Sequence, residues 1–352
     1  MKKKSWITLV FVLTIAVSLF GIFNAATVSE AKPITLSLAH FFPATHFVDA
    51  VQAENWIKDV EKATEGAVKI DIFPGQTLLK AAETYDGVVA GTADLGIWVP
   101  AYTRGRFPVL EAFEMVGIHF GSCRATTAVA LEGIEKFKPK ELSDTKLMYI
   151  YSVGPGSLYS KKKVTCLDDL KGMRIRATGA TVKSIQALGA IPVAMPMADV
   201  YEALSKGVVE GNIAPPEVLK GWKQAEVTNY ITILPPVYNS MQGCMMNLNT
   251  WNSLPGNVRS AIEKVNEGWS MKAGQIWDNE MKVNGIDYGI KEHGMEIVRW
   301  PEADLKKAME IMQPVVDEYV AGMKEKGLPG REIIDFVKEK AAKYSKMYPP
   351  GY

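Results

Sequence analysis

Cysteine is scarce in this chain: Cys123, Cys166 and Cys244 are the three in 352 residues. So few thiols exclude a disulfide scaffold, although an oxidising compartment permits one bridge. Their spacing matches no zinc motif. Histidine is nearly as rare, with four residues. His40 and His46 flank one loop, but no third ligand at a recognisable spacing joins them, so no metal site is expected. An excess of either charge is missing too: 40 Lys+Arg stand against 39 Asp+Glu. Without surplus basic charge to neutralise phosphates, nucleic acid is not expected as a partner. Long apolar runs are confined to the N-terminus, which excludes a polytopic membrane protein.

Catalytic signatures are absent as well. The chain has no Gly-x-Ser-x-Gly, no Ser-x-x-Lys in a catalytic setting, no Gly-x-Gly-x-x-Gly and no Walker loop. Gly154-Pro155-Gly156 is glycine-rich, but its proline removes an amide donor that a phosphate cradle needs, so it reads as a turn. These absences favour a binding protein that is not an enzyme and uses no cofactor.

What is present begins at the N-terminus. Three lysines precede an apolar stretch from Trp6 to Phe23, and Ser29-Glu30-Ala31 offers a small-x-small cleavage site. Residues 1–31 therefore read as a secretory signal peptide, with an uncleaved anchor as the alternative. The mature chain is expected to be soluble, nearly neutral and periplasmic. At its length, two cores are the natural expectation.

Apolar alternation predicts strands at Ile34–Ala39 and Val68–Ile72, and the apolar run Asp94–Val99 reads as a buried strand, with helices between them. The same β-α-β rhythm returns with strands at Lys146–Ser152, Met173–Ala177, Ile191–Ala194 and Val208–Val209. Such alternation implies two α/β units. From Val258 to about Tyr288, apolar residues recur every three or four positions. That spacing predicts one long helix spanning both units, with Gly268, Gly274 and Gly285 as candidate bending points. Further helices are expected over Glu302–Glu325 and onward to about Lys346.

Among the charged residues, Arg174 and Arg176 stand out. On a strand they point to one face, with Ile175 on the other. They either pair with nearby acids at exposed strand ends, or one of them reaches a cleft and grips an anion through its planar fork.

Three linked segments carry a resemblance: Leu167-Asp-Asp-Leu-Lys-Gly-Met-Arg-Ile-Arg176, Leu188-Gly-Ala-Ile-Pro-Val-Ala-Met-Pro-Met197 and Val200-Tyr-Glu-Ala-Leu-Ser-Lys-Gly-Val-Val-Glu-Gly211. Glu65–Gly75, Gly91–Gly96 and Pro100-Ala-Tyr102 agree with them in order. Together they resemble the solute-binding subunit of TRAP transporters, the DctP-like family of tripartite ATP-independent periplasmic carriers. The resemblance implies a bilobal α/β periplasmic-binding-protein fold with hinge-crossing strands and a bracing helix. It places one lobe at residues 32–152 plus about 240–280, the other at 153–239 plus about 281–315, and a C-terminal helical segment at 316–352.

The resemblance also implies a function: capture of an organic acid and its delivery to TRAP permease subunits for ion-gradient-driven uptake, with Arg176 clamping the carboxylate. This chain departs from sugar-acid and dicarboxylate binders by carrying Ala214 where they have an asparagine, and by lacking a second arginine at Val153–Ser157. The segments expected at the cleft are apolar, with Phe41, Trp98, Tyr102, Met197, Trp222 and Tyr238. Gly156 and Ala214 complete the expected ligand-binding residues. The expected ligand is a monocarboxylate with an apolar or aromatic body, such as a 2-oxo acid. A ligand-sensing receptor for a membrane kinase, a periplasmic enzyme on the same scaffold and a binding protein for an ATP-driven importer are the alternatives.

Overall fold

The structure, a computed structural model, describes residues 32–350, so the expected signal peptide lies outside the described residues. Strands are numbered along the chain. The first sheet holds β1 (Ile34–Ala39), β2 (Val68–Phe73), β3 (Leu95–Trp98), β4 (Thr145–Ser152) and β10 (Met241–Asn247) in the order β2-β1-β3-β10-β4. The second holds β5 (Ser157–Ser160), β6 (Arg174–Arg176), β7 (Ile191–Val193), β8 (Gly211–Ala214), β9 (Tyr230–Ile233) and β11 (Glu296–Arg299) in the order β11-β9-β5-β8-β6-β7. Helices connect the strands, giving the two α/β lobes that the alternation implies.

Each sheet contains strands fed by the chain as it passes between lobes. β4 leads through Val153–Gly156 into β5, and β9 leads through Leu234–Ser240 into β10. β10 runs antiparallel to both β3 and β4, and β5 runs antiparallel to both β8 and β9. The two crossings lie side by side, since Val153 N donates to Ser240 O at 2.9 Å.

Two glycines set the packing of the first sheet. A Cβ on Gly96 would sit 2.8 Å from both Thr84 and Val88, so the helix Thr84–Val89 rests directly on β3. A Cβ on Gly243 would sit 2.3 Å from the Trp98 ring, which lies across that bare stretch of β10. Trp98 is thereby drawn into the core of this lobe, beside Tyr85 and Phe107.

The expected long helix is broken. Gly268 adopts φ +77°, which ends the helix Gly256–Asn266 and starts a new one at Trp269. That left-handed conformation costs glycine little and most other residues much more. From Trp269 the backbone stays helical to His293, with a wider π turn at Met281–Ile286. This run is the third crossing. Gly285 lets it touch the other lobe, because a Cβ there would sit 2.6 Å from Pro216.

Two other boundaries move. The strand expected at Val208–Val209 falls instead at β8, because Gly207 turns the chain at φ +71° and Val208 faces solvent. The expected division between residues 315 and 316 falls inside the helix Glu302–Glu325, whose buried face includes Met312, Val315, Val316 and Met323. That helix packs on the helix Thr181–Ala187 of the second lobe. The closing helix Gly330–Met347 returns to pack on Cys123–Phe137 of the first. All three cysteines are free, and Cys123 and Cys244 are buried.

Candidate functional site

Arg176 ends the short strand β6 between β7 and β8, and its side chain is fully buried at 1% exposure. Arg174, two residues earlier, is half exposed, donating to Gly207 O at 3.0 Å and facing Glu210 at 4.0 Å. The two arginines of this strand therefore differ: Arg174 lies at the surface beside an acid, and Arg176 is buried. Arg176 Nε donates to Met195 O at 3.0 Å, and Nη1 approaches Asn212 Oδ1 at 3.5 Å. Asn212 is its register partner on β8. Asn212 Nδ2 in turn donates to Gln224 Oε1 at 2.8 Å. Among the described residues, no carboxylate lies within ion-pair distance of this guanidinium. A buried cation held only by neutral groups keeps most of its desolvation cost, so its site favours an anion.

Aromatic rings from both lobes close over the arginine. Phe41, in the loop after β1, stacks on Trp222 of the second lobe with centroids 6.1 Å apart and planes 18° apart. Phe42 and Tyr102 extend the cluster at 4.2 and 5.7 Å from Phe41. The Tyr102 hydroxyl accepts from Met197 N at 3.1 Å, linking the lobes again. Burial raises the Tyr102 pKa, while the charge of Arg176 acts in the opposite direction. Tyr238, on the crossing segment before β10, supplies the floor. The space enclosed is small, about 20 Å³. A cavity of that size holds about one water molecule.

The remaining walls carry polar groups. Thr178, Ser240 and Gln242 face the space, and so does Glu217. Glu217 is buried, and its Oε2 lies 3.0 Å from His46 Nε2 of the other lobe. Burial raises its pKa, with the hydrogen bond from His46 in opposition. His40 lies 2.9 Å from Asp49, so the two loop histidines each face their own carboxylate and do not share one centre. Beneath the hinge, burial pushes the Glu114 carboxyl up to about 8, although Met241 N donates to it at 2.7 Å.

Of the residues expected at the ligand, the fold brings Arg176, Phe41, Tyr102, Met197, Trp222 and Tyr238 around one space. Trp98 lies instead in the first lobe's core, for the reason given by Gly243. Gly156 and Ala214 stand behind the wall. A Cβ on Gly156 would come 2.5 Å from the Tyr238 ring and 2.6 Å from Ala214 O, so this glycine leaves the ring its place. Asn212, Gln224 and Glu217 escape the sequence reading. The one signal for Asn212 is a polar residue within an otherwise apolar buried strand, Gly-Asn-Ile-Ala. Glu217 follows Pro215-Pro216 and resembles an ordinary helix-start acid.

Residues 38–322 match the family model described as bacterial extracellular solute-binding protein, family 7 (DctP). The chain belongs to this family. A TRAP periplasmic solute-binding protein from Desulfovibrio salexigens is 34% identical, with 89% of this chain and 97% of that one covered and a TM-score of 0.77. A marine metagenome TRAP solute-binding protein specific for aromatic acid ligands, in complex with 3-hydroxybenzoate, is 27% identical over 89% and 99% of the two chains, with a TM-score of 0.84. A TRAP solute-binding protein from Rhodoferax ferrireducens, in complex with copurified benzoate, is 26% identical over 89% and 99%, with a TM-score of 0.81. The DctP-like assignment confirms the bilobal fold and the transport class. The relatives are solute-binding receptors for transport, not enzymes. Among the described residues, no helix is long and apolar enough to cross a membrane.

Proposed function

We propose that this chain is an exported receptor that captures a monocarboxylate with an apolar or aromatic body and delivers it to a TRAP permease for ion-gradient-driven uptake. Arg176 carries the reading: a buried guanidinium without a carboxylate partner among the described residues, facing a space between two lobes. A planar fork of N–H donors matches a carboxylate in charge and geometry. Phe41, Tyr102, Trp222 and Tyr238 offer ring faces and edges to the ligand body. The aromatic acids bound by the two TRAP relatives agree with that lining. A single arginine at the site favours one carboxylate over two.

An aromatic acid is much larger than the enclosed space. Capture therefore requires the lobes to part, the ligand to seat on Arg176, and the rings to re-pack as the lobes close. The protein's own contribution is binding and closure, with no bond made or broken. Export through cleavage near Ala31 belongs to the same proposal.

Mass spectrometry of small molecules that copurify with the protein tests the ligand class directly. An aromatic, branched or 2-oxo monocarboxylate is the expected result. A melting temperature that rises only with sugar acids or succinate-like diacids contradicts the proposal.

A further inference from the structure

A much larger cavity, of about 420 Å³, lies on the other side of Tyr238. It falls within the range of small-molecule sites, roughly 300–1,000 Å³. The crossing segments form its floor, through Pro155, Gly156, Leu234 and Pro236. Ile118 and Phe120 of the first lobe and Ile233 and Ile297 of the second form its walls. Three basic side chains line it: His119, Lys282 and Arg299. Its one acid, Asp287, already has Lys291 at 3.5 Å. Lys282 and Arg299 have no ion pair among the described residues, although the surface elsewhere carries many such pairs. An apolar hollow with unneutralised cations fits an amphipathic anion, whose chain is buried and whose carboxylate meets the bases.

Position gives this cavity a consequence. Its walls come from both lobes, and its floor is the hinge. Motion that parts the lobes at the aromatic mouth brings the walls behind the hinge together. An occupant wedged there opposes that motion. We infer that the cavity behind Tyr238 is a second binding site, for an amphipathic organic carboxylate, whose occupancy favours the closed arrangement of the lobes. Tyr238, which lines both spaces and packs against Gly156 of the larger one, is the physical link between the sites.

Octanoate is a suitable probe, and Arg176→Ala removes the competing clamp. Calorimetric titration of the Arg176→Ala chain with octanoate is expected to show one binding event. Adding Lys282→Glu and Arg299→Glu, both at exposed positions, is expected to weaken it at least tenfold. Neutral octanamide is expected to bind the Arg176→Ala chain at least tenfold more weakly than octanoate, a comparison that needs no second variant. Small-angle scattering of the same chain is expected to show a smaller radius of gyration with octanoate. Absence of octanoate binding, indifference to the two charge reversals, or equal binding of the amide overturns the site. An unchanged or larger radius overturns the wedge. All readouts use the Arg176→Ala background, so they are separable from the test of the front site.

Discussion

His46 Nε2 lies 3.0 Å from Glu217 Oε2, and the two residues belong to different lobes. His46 sits in the loop after β1, and Glu217 heads the short helix after β8. Both are buried, beside the stacked Phe41 and Trp222. The contact spans the two lobes and needs them together, so it is expected to act as a latch on the closed form.

His46→Ala leaves the Glu217 carboxyl buried without its partner. Removing one member of a buried pair costs about 3–5 kcal/mol. Parting the lobes rehydrates Glu217, so the cost falls mainly on closure. Ligand dissociation, followed by stopped-flow tryptophan fluorescence, is expected to accelerate by about two orders of magnitude. A rate within twofold of the unaltered protein shows that the latch has no role.

Arg176→Ala removes the charge proposed to hold the ligand carboxylate. A micromolar ligand is held by about 8 kcal/mol, and loss of one member of a buried charge pair costs about 3–5 kcal/mol. Calorimetry is expected to show affinity lower by at least 100-fold. Arg176→Lys recovers only part of it, because an ammonium lacks the planar fork. Undiminished affinity in the alanine variant removes Arg176 from the site.

Glu114 gives the chain a pH-dependent stability. Its carboxyl, ordinarily at 4.5, is pushed up to about 8 by burial. A raised folded-state value means that the native protein holds this proton more tightly than the unfolded chain. Its contribution is therefore complete below about 4.5 and is lost as pH rises through about 8. Glu114→Gln is expected to flatten the fall in melting temperature across that window. A profile of unchanged slope excludes Glu114 as its source.

Gly156→Ala introduces a methyl group 2.5 Å from the Tyr238 ring and 2.6 Å from the Ala214 carbonyl. The ring can turn, but the carbonyl belongs to β8 and cannot move without the strand. A loss of about 1–3 kcal/mol is expected from such overpacking, read by chemical denaturation. Ligand affinity should fall with it, since Tyr238 forms the floor of the site.

Much of the local architecture was legible in the chain alone. Apolar alternation located β1 and β2, the apolar run Asp94–Val99 located β3 and the short segment Met173–Ala177 located β6, each to within a residue or two, because a strand's faces show in its own residue pattern whatever packs on them. Apolar spacing of three and four located the helices after Gly268. The linked motifs around Arg176 pointed to the family, and residue types alone excluded the common catalytic machineries. Tertiary structure decided the rest. Asn212 meets Arg176 only because β8 lies beside β6 in one particular register, and Trp98 turns into a core because Gly243 lies beneath it on a strand far away in sequence. His46 and Glu217 are separated by 171 residues and meet only through closure of the cleft. Local patterns follow from the geometry of each strand or helix, whereas the site follows from which distant segments are brought into contact, and no single segment encodes that.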